Sequence, residues 1–418
     1  MLQNDDSQVP VPETGEISVI TTTPQKQDSN LYNLEDRFIS CLLCHMIGDI
    51  LGAPVEGYDS LSIQQKYGIL KDFVSGQHMG LYDLPERINM YTDDTNSMLA
   101  LSFSLVHNSG LVPRHAARTY PEYWSTGVIR GYPDSAINAM KCVQDGKIPY
   151  TECGRIAFKD GSFANGGAMR IAPIALAYRT ANDEQLYEAV RLAIISSHVH
   201  PEEFLNELSS SARTNAMKSQ IELVLSLYKE QSNKKDDELV LNDSDIVKKF
   251  GSTFQIRAIE AIPCVLWCLV NSYKDPEGCI IRSVMMGGDT DTVAAMTGDI
   301  IGSLHGTSFI PKRWFDNIEK NNEENMYRGR DFAIDLAKKI FKLNLTEVLM
   351  RPKRNAVTFG QPDLSVSVIV YCVHVTDQNF GEKHQLAAKV NGFISHLKVT
   401  VTYRSATSAV YNIPVMIF

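Results

Sequence analysis

Residues 285–306, MMGGDTDTVAAMTGDIIGSLHG, combine two glycines and two acids with a long apolar run. The apolar run has the composition of a buried helix. Gly298, Gly302 and Gly306 recur every four residues, so they lie on one face of that helix. Small residues on one face let a neighbouring helix approach closely. The stretch therefore predicts a buried helix that packs tightly against another element.

A second segment near the start of the chain repeats this pattern. GDILG at residues 48–52 matches GDIIG at residues 298–302 in all but one position. Five residues do not establish an internal duplication, and we interpret the match as a packing pattern in which Gly48 and Gly52 line one helix face. The surrounding residues, from Leu31 to Pro54, have the apolar spacing of a buried helix that ends at the proline.

Two short acidic clusters precede apolar helical segments: TDDT at residues 92–95 and DTDT at residues 289–292. Either cluster alone is compatible with ordinary helix N-capping, which favours Asp and Thr. One helix start needs a single capping residue, however, and each cluster carries two acids. Gly287 and Gly288 precede the second cluster, as if the backbone must approach something closely. Carboxylates and hydroxyls without His or Cys favour Mg or Mn over zinc.

The loop GSFANGGAMRIAP, residues 161–173, runs into a predicted helix. Backbone N–H groups at a helix N-terminus suit a phosphate or diphosphate, although a plain turn has the same composition. Phe163 is able to stack on a base. Arg170 is suited either to a phosphate or to a structural ion pair.

Glu56 and a pair of histidines are further candidates. Glu56 in GAPVEGY follows a helix directly and lies between proline and glycine, where an acid is suited to proton transfer. Most glutamates at such positions are simply solvated. His198 and His200 lie two residues apart in SSHVHP, a spacing that also occurs in histidines without a ligand.

The distribution of periodic segments predicts an all-α body with a β-prone C-terminal extension. Apolar residues recur at helical spacing through most of residues 31–350. VSVIVYCVHV at 366–375 is β-branched, and HLKVTVTYR at 396–404 alternates apolar and polar residues, so both predict strands. We expect a disordered arm at 1–30, one helical domain at 31–350, and an extension of unknown role at 351–418.

Composition excludes some classes of function. The net charge is −9 and the pI is about 5.6, which argues against binding nucleic acid through bulk charge. The sequence indicates residues 261–270 as the longest apolar run, which is too short to cross a membrane, and no secretory signal is evident. We expect an intracellular monomer without a membrane partner, located in the cytoplasm or alternatively in the nucleus or an organelle.

The eight cysteines of the chain suggest reduced thiols rather than a disulfide framework. Cys41 and Cys44 form a C-x-x-C pair, and Cys264 and Cys268 form a C-x-x-x-C pair, so a zinc site is an alternative. Both pairs lie in apolar helical patterns, where cysteine behaves as a small buried hydrophobe.

Taken together, GDILGAPVEGY, YTDDTNSMLAL, RGYP, GSFANGGAMRIAPIAL, SSHVHP and the stretch from Gly287 to Gly306 resemble the ADP-ribosylglycohydrolase family. The resemblance covers about residues 31–350. It implies a compact, orthogonally packed helical bundle with two divalent cations, Mg or Mn, at the bottom of an ADP-ribose cleft. The paired acidic motifs, in this order and context, make the resemblance specific.

The resemblance also implies roles for particular residues. The catalytic residues would be Glu56, Asp94 and Asp291. The metal ligands would be Thr92, Asp93, Asp94, Asp289, Asp291 and Thr292. The substrate-binding residues would be Gly131, Tyr132, Ser162, Phe163, Asn165, Gly166 and His198. Ala164 departs from the glycine of several members, and neither the N-terminal arm nor the extension has a counterpart in the family core.

The function that the resemblance implies is removal of ADP-ribose from modified protein side chains, or from a related ADP-ribose conjugate. The glycosidic bond at C1 of the distal ribose would be cleaved. The partner would be an ADP-ribosylated protein or conjugate rather than a nucleic acid. Two other readings share the site: a non-catalytic ADP-ribose-binding or structural paralogue, and a hydrolase for a small conjugate such as an O-acyl ADP-ribose.

Overall fold

The computed structural model describes seven segments of the chain: residues 29–75, 89–159, 162–198, 216–233, 243–346, 401–404 and 410–413. Residues 1–28, most of the C-terminal extension and the predicted strand at 366–375 lie outside the described residues. Gly161 and His200 also lie outside them.

The described body is built of α-helices joined by short 3-10 turns, which confirms the all-α prediction. The α-helices are α1 Ser29–Gly52, α2 Ser60–Tyr67, α3 Asp93–Asn108, α4 Pro113–Ser125, α5 Asp134–Asp145, α6 Ala172–Ala177, α7 Asp183–Ile194, α8 Ala216–Asn233, α9 Asp243–Lys249, α10 Ala258–Ser272, α11 Pro276–Met285, α12 Thr290–His305, α13 Lys312–Phe315 and α14 Arg330–Lys342. The 3-10 turns are Ala53–Val55, Tyr150–Arg155, Asn165–Gly167 and Thr307–Phe309. α1 begins inside the arm that the sequence predicted to be disordered.

The two glycine-spaced helices pack against each other. α1 and α12 run antiparallel, and glycines of each helix face backbone of the other. A Cβ atom built on any of these glycines would lie under 3.0 Å from main-chain atoms of the facing helix. The contacts pair Gly302 with Ser40, Gly298 with Cys44, Gly48 with Ala294, and Gly52 with Asp291. The packing interpretation of the repeated motif is therefore confirmed, and each copy is the partner of the other.

The rest of the core surrounds this helix pair. α14, α11 and α3 contact α1, and the buried apolar side chains of these helices belong to one continuous cluster. The segment Leu34–Val55 has a mean hydropathy of 1.7 and is long enough to cross a membrane, yet 89% of its most apolar 18-residue stretch is buried inside the protein. This is the position of a core helix. The segment is also a longer apolar helix than the run at 261–270 that the sequence suggested.

Two further elements complete the comparison with the sequence. α11 was not predicted, although it begins with a start signal: the Asp275 side chain caps the helix by accepting from Gly278 N–H at 3.0 Å, and Pro276 is its first residue. In the extension, β1 Val401–Arg404 and β2 Val410–Ile413 pair antiparallel. β1 lies within the segment at 396–404 that was predicted to be a strand.

Candidate metal centre

The second acidic motif begins α12 and is shaped by the two glycines before it. Gly287 and Gly288 have φ of +77° and +88°, the left-handed region that favours glycine. A Cβ on Gly287 would meet the backbone of residues 58–60, and one on Gly288 would meet Gln255. The close approach predicted for these glycines is therefore confirmed, and what they approach is other parts of the chain.

Glu56, just after the end of α1, lies next to the second acidic motif. The 3-10 turn Ala53–Val55 ends at Glu56, after which the chain pairs with the loop before α12. Gly57 N–H donates to the Gly288 carbonyl, and Gly288 N–H donates to the Tyr58 carbonyl, both at 2.8 Å. Carboxylate oxygens of Glu56, Asp289 and Asp291 consequently lie within 4.8 Å of one another.

The first acidic motif is held in place by α1. Thr92 occupies the N-cap of α3, and its hydroxyl accepts from Asp94 N–H at 3.4 Å. Asp49 of α1, fully buried, accepts from the N–H groups of Thr92 and Thr95 at 3.0 Å. Because Thr92 and Asp49 satisfy the start of α3, the carboxylates of Asp93 and Asp94 are not needed for capping.

The two motifs interact electrostatically across the site. Burial, followed by the charges of Asp291 and Asp93, raises the pKa of Asp94 well above its ordinary value. Burial and the charge of Asp291 likewise raise the pKa of Asp289. Like charges that are close together in a desolvated site cannot all ionise without a compensating cation. The structure thus brings together the two clusters, which lie almost 200 residues apart in the sequence.

The donor set fits hard divalent cations. The ligands predicted from the sequence are all buried, and none is more than 9% exposed: Thr92, Asp93, Asp94, Asp289, Asp291 and Thr292. Asp94 Oδ1 is buried and has no hydrogen-bond donor within the described segments, so a cation is able to occupy its remaining acceptor position. Carboxylate and hydroxyl oxygens are the ligands that Mg and Mn prefer.

The simpler explanations account for less of the geometry. Asp289 occupies the N-cap position of α12, but its side chain makes no capping hydrogen bond. Cys41, Cys44, Cys264 and Cys268 are buried free thiols in the helical core. Among the residues that the structure describes, the one group of His, Cys, Asp or Glu side chains arranged to hold a metal is Glu56, Asp289 and Asp291.

The candidate diphosphate loop is tied to the metal centre by Asn165. Its amide donates to Asp289 Oδ2 at 2.6 Å and to the Gln255 carbonyl at 3.0 Å. Gln255 in turn accepts from Asp289 N–H at 2.9 Å through its side-chain oxygen. Ala164 has an extended backbone, with φ −64° and ψ 151°, so its departure from glycine introduces no strain.

The other predicted substrate residues lie on two loops. Ser162, Phe163 and Gly166 are partly buried on the loop that Asn165 anchors, and the Arg257 guanidinium lies over the Phe163 ring, 5.9 Å from its centroid. Gly131 has φ +85°, and the Tyr132 hydroxyl accepts from the Asn96 amide of α3 at 3.0 Å. Tyr132 therefore contacts the helix that begins with the first acidic motif.

His198 lies beneath the Ser162–Gly166 loop. Its Nδ1 is 2.9 Å from the Ser197 hydroxyl, and its Nε2 is 3.3 Å from the Ala164 carbonyl, so Nε2 carries the proton of the neutral ring. Arg170 donates to Ser197 and stacks over Tyr120, so its guanidinium is occupied within the protein. Burial and the neighbouring Arg170 lower the pKa of His198 to about 3. The observed contacts of both side chains support the loop from below.

A neutral buried histidine predicts an acid-sensitive fold. The folded protein holds His198 neutral down to about pH 3, whereas the unfolded chain protonates it near pH 6.5. Between these values the unfolded state binds the extra proton, so stability is fully present above pH 6.5 and falls on acidification, by at most about 1.4 kcal/mol per pH unit. Urea unfolding at pH 7.5 and at pH 5 should show that acidification lowers the free energy of unfolding more for the wild type than for His198→Gln. Equal losses would contradict the assignment of a neutral ring.

Three of the residues that build this site were not singled out from the sequence. Asp49 caps α3, Gln255 holds the main chain of Asp289, and Asn96 holds Tyr132. Asp49 had a recognisable signal, an acid in the middle of an apolar helix, within the GDILG motif that was read only for its glycines. Gln255 and Asn96 carry no such local signal.

Comparison with known proteins identifies relatives over most of the chain. A family model described as ADP-ribosylglycohydrolase matches residues 30–347. ADP-ribosylhydrolase ARH3 of Mus musculus is 26% identical over 333 residues, which cover 69% of this chain and 89% of that protein. The ADP-ribosyl-[dinitrogen reductase] glycohydrolase of Rhodospirillum rubrum is 24% identical over 310 residues, which cover 73% of this chain and 98% of that protein.

A solved structure of an ADP-ribosylglycohydrolase-related protein complex superimposes with a TM-score of 0.52 and 22% sequence identity. The superposition covers 75% of this chain and 100% of the chain in the solved structure. At this identity the likeness shows the fold alone, and the fold is the all-α architecture described above.

Proposed function

The chain belongs to the ADP-ribosylglycohydrolase family and is an ADP-ribosyl hydrolase, and from this premise we propose that it is a metal-dependent enzyme that removes ADP-ribose from modified protein side chains. The bond that breaks joins C1 of the distal ribose to the acceptor atom of the side chain. Water supplies a hydroxyl group to C1 and a proton to the departing acceptor, so the products are free ADP-ribose and the unmodified side chain.

One observation carries this proposal: carboxylate oxygens of Glu56, Asp289 and Asp291 lie within 4.8 Å of one another. The first acidic motif lies beside them, where burial and the charge of Asp291 raise the pKa of Asp94. A protein that only bound ADP-ribose would gain nothing from several desolvated carboxylates, because the ligand is itself an anion. A metal-dependent hydrolase gains from them because they hold the cations that orient the ribose hydroxyls and the attacking water.

Divalent cations fit the centre, with ligands from both motifs. Asp93 and Asp94 with the Thr92 hydroxyl would serve from α3, and Asp289 and Asp291 with the Thr292 hydroxyl from α12. Bound Mg or Mn supplies charge neutralisation and orientation of the ribose hydroxyls and the attacking water. Asn165 keeps the Asp289 carboxylate directed into the centre through its 2.6 Å hydrogen bond.

We assign proton transfer to Glu56. Asp94 and Asp291 are each 2% exposed, whereas Glu56 is partly exposed at the edge of the same cluster. An acid that exchanges a proton with water or with the acceptor must reach the substrate side of the site. The paired backbone of Gly57 and Gly288 holds Glu56 there, so its carboxyl is positioned by rigid neighbours.

The remaining substrate would extend along the loops next to the centre. The Ser162–Gly166 loop offers backbone N–H groups and the partly buried Phe163 ring, a combination suited to a diphosphate and an adenine. Gly131 and Tyr132 lie on the loop before α5, where a positive φ at Gly131 shapes the turn. A distal ribose at the metal centre would therefore be continuous with the diphosphate on one side and would leave the acceptor on the other.

The test is a release assay with three conjugates: a peptide ADP-ribosylated on arginine, a peptide ADP-ribosylated on serine, and O-acetyl ADP-ribose. Each is incubated with the full chain after EDTA treatment, with and without added Mg²⁺ or Mn²⁺. We expect release of ADP-ribose from at least one peptide, reduced at least about 100-fold by EDTA and restored by metal. The acceptor preference follows directly from which peptide is cleaved.

Two results would contradict the proposal. Turnover of O-acetyl ADP-ribose alone would identify a small conjugate as the substrate. Full activity after EDTA treatment, with metal content verified by elemental analysis, would contradict the metal centre. A heat-denatured sample of the chain controls for spontaneous hydrolysis of the ester.

A further inference from the structure

A buried ion pair lies between α1 and α12. His45 Nδ1 donates to both carboxylate oxygens of Asp299, each at 3.1 Å. His45 is fully buried, and Asp299 is 8% exposed. Burial opposes the charged imidazole, but the Asp299 carboxylate outweighs it, so the pKa of His45 lies above its ordinary value. Cys41 Sγ also donates to Asp299, at 3.7 Å.

The same face of α1 meets the first acidic motif. His45 lies four residues before Asp49, one helical turn, so the two side chains share a face. Asp49 accepts from the N–H groups of Thr92 and Thr95 and so caps the first turn of α3, the turn that carries Asp94. One face of α1 therefore carries both the contact to Asp299 of α12 and the contact to the first turn of α3.

Asp299 connects this contact to the second acidic motif. It follows Asp291 by eight residues on α12, a distance of roughly 12 Å along a helix. Both acidic first turns are thus linked through buried polar contacts of α1: His45 binds Asp299 of α12, and Asp49 caps the first turn of α3. A buried ion pair is a poor source of net stability, because desolvation cancels most of its Coulombic gain.

We propose that His45 and Asp299 form a positioning pair, which fixes the acidic first turn of α3 relative to the acidic first turn of α12. The role rests on the proposed function, since it concerns the geometry of the same centre. Neither residue belongs to the proposed metal ligands or to the proposed substrate contacts. Groups that orient metal ligands without binding the metal themselves commonly change metal affinity by about 10- to 100-fold.

The test separates positioning from mere stability. In the double variant His45→Leu/Asp299→Ala, the pair is replaced by apolar side chains of similar total volume, so no buried charge is left without a partner. Urea unfolding of the full chain should give a stability near that of the wild type. Mn²⁺ titration followed by electron paramagnetic resonance should give a dissociation constant about 10- to 100-fold higher.

Ile300→Val, next to Asp299 on α12, is the matched control because it removes one buried methyl group from the same part of the core. It should lower stability and leave Mn²⁺ affinity unchanged. Should the double variant fail to fold, Asp299→Asn measures the same property with an isosteric group, and a loss of Mn²⁺ affinity of several-fold or more is expected. Wild-type Mn²⁺ affinity in the folded double variant, or in Asp299→Asn, would overturn the positioning role alone. A wild-type chain that binds no Mn²⁺ would overturn the metal centre itself.

Discussion

Asp291→Asn should reduce release of ADP-ribose at least about 100-fold while leaving the helical fold intact. The substitution keeps the shape of the side chain and removes one negative charge from a centre that depends on charge to hold a cation. Asp291 is 2% exposed, and its charge is the largest contribution after burial to the raised pKa of Asp94. Removing it should therefore also lower the pKa of Asp94 and weaken Mn²⁺ binding.

Activity, Mn²⁺ affinity and far-UV circular dichroism should be measured on the same preparation. Asp335→Asn is the matched control, since it makes the same substitution at a half-exposed acid on α14 that pairs with Lys339. Glu56→Gln should separate the two roles at the site by reducing turnover more strongly than Mn²⁺ affinity. Wild-type turnover of Asp291→Asn would show that the centre is not the one proposed.

Gly298→Ala should lower the free energy of unfolding by about 2 kcal/mol or more. In a helix interior, replacing glycine by alanine normally stabilises by about 1 kcal/mol, so the expected effect is opposite in sign to helix propensity. The reason is the close contact between α12 and α1: a Cβ on Gly298 would lie under 3.0 Å from the backbone of Cys44. Neither helix backbone can move without disturbing the rest of the interface.

Equilibrium urea unfolding followed by circular dichroism measures this effect. Gly166→Ala is a control of the same chemistry, because a Cβ there would have its nearest neighbours at 3.9 and 4.0 Å, an ordinary contact distance. The control should change stability by only a few tenths of a kcal/mol. If Gly298→Ala were as stable as the wild type, the tight packing of α1 on α12 would not be the basis of the core.

Local patterns in the sequence predicted much of the fold and part of the site. Helix formation depends on the spacing of apolar residues along one segment, so α1, α3 and α12 were predicted near their observed positions. The acidic motifs were found because two acids within four residues exceed what one helix start needs. The carboxylates and hydroxyls of both motifs suggested divalent cations, and the family resemblance implied that the two motifs form one centre. The electrostatic interaction between Asp94 and Asp291 supports this arrangement.

Other features depend on tertiary contacts that no local pattern encodes. Gln255 is recognisable as part of the site only when its loop is seen against Asp289, and His45 only when Asp299 is seen opposite it. The glycines before α12 showed that something must come close, but not that it would be the backbone of residues 58–60. The roles of the candidate residues toward metal and substrate stay predictions until the assays above are made.

The pairing of α1 with α12 has a consequence for synthesis of the protein. The ribosome completes α1 at Gly52 and completes α12 only at His305. At about 5 to 20 residues per second, roughly 10 to 50 s separate these events. During that interval a helix apolar enough to pass for a membrane span lacks the partner that covers its glycine face. We therefore expect the first helix of the nascent chain to need chaperone protection, and truncations that end before α12 should accumulate as chaperone-bound or aggregated species.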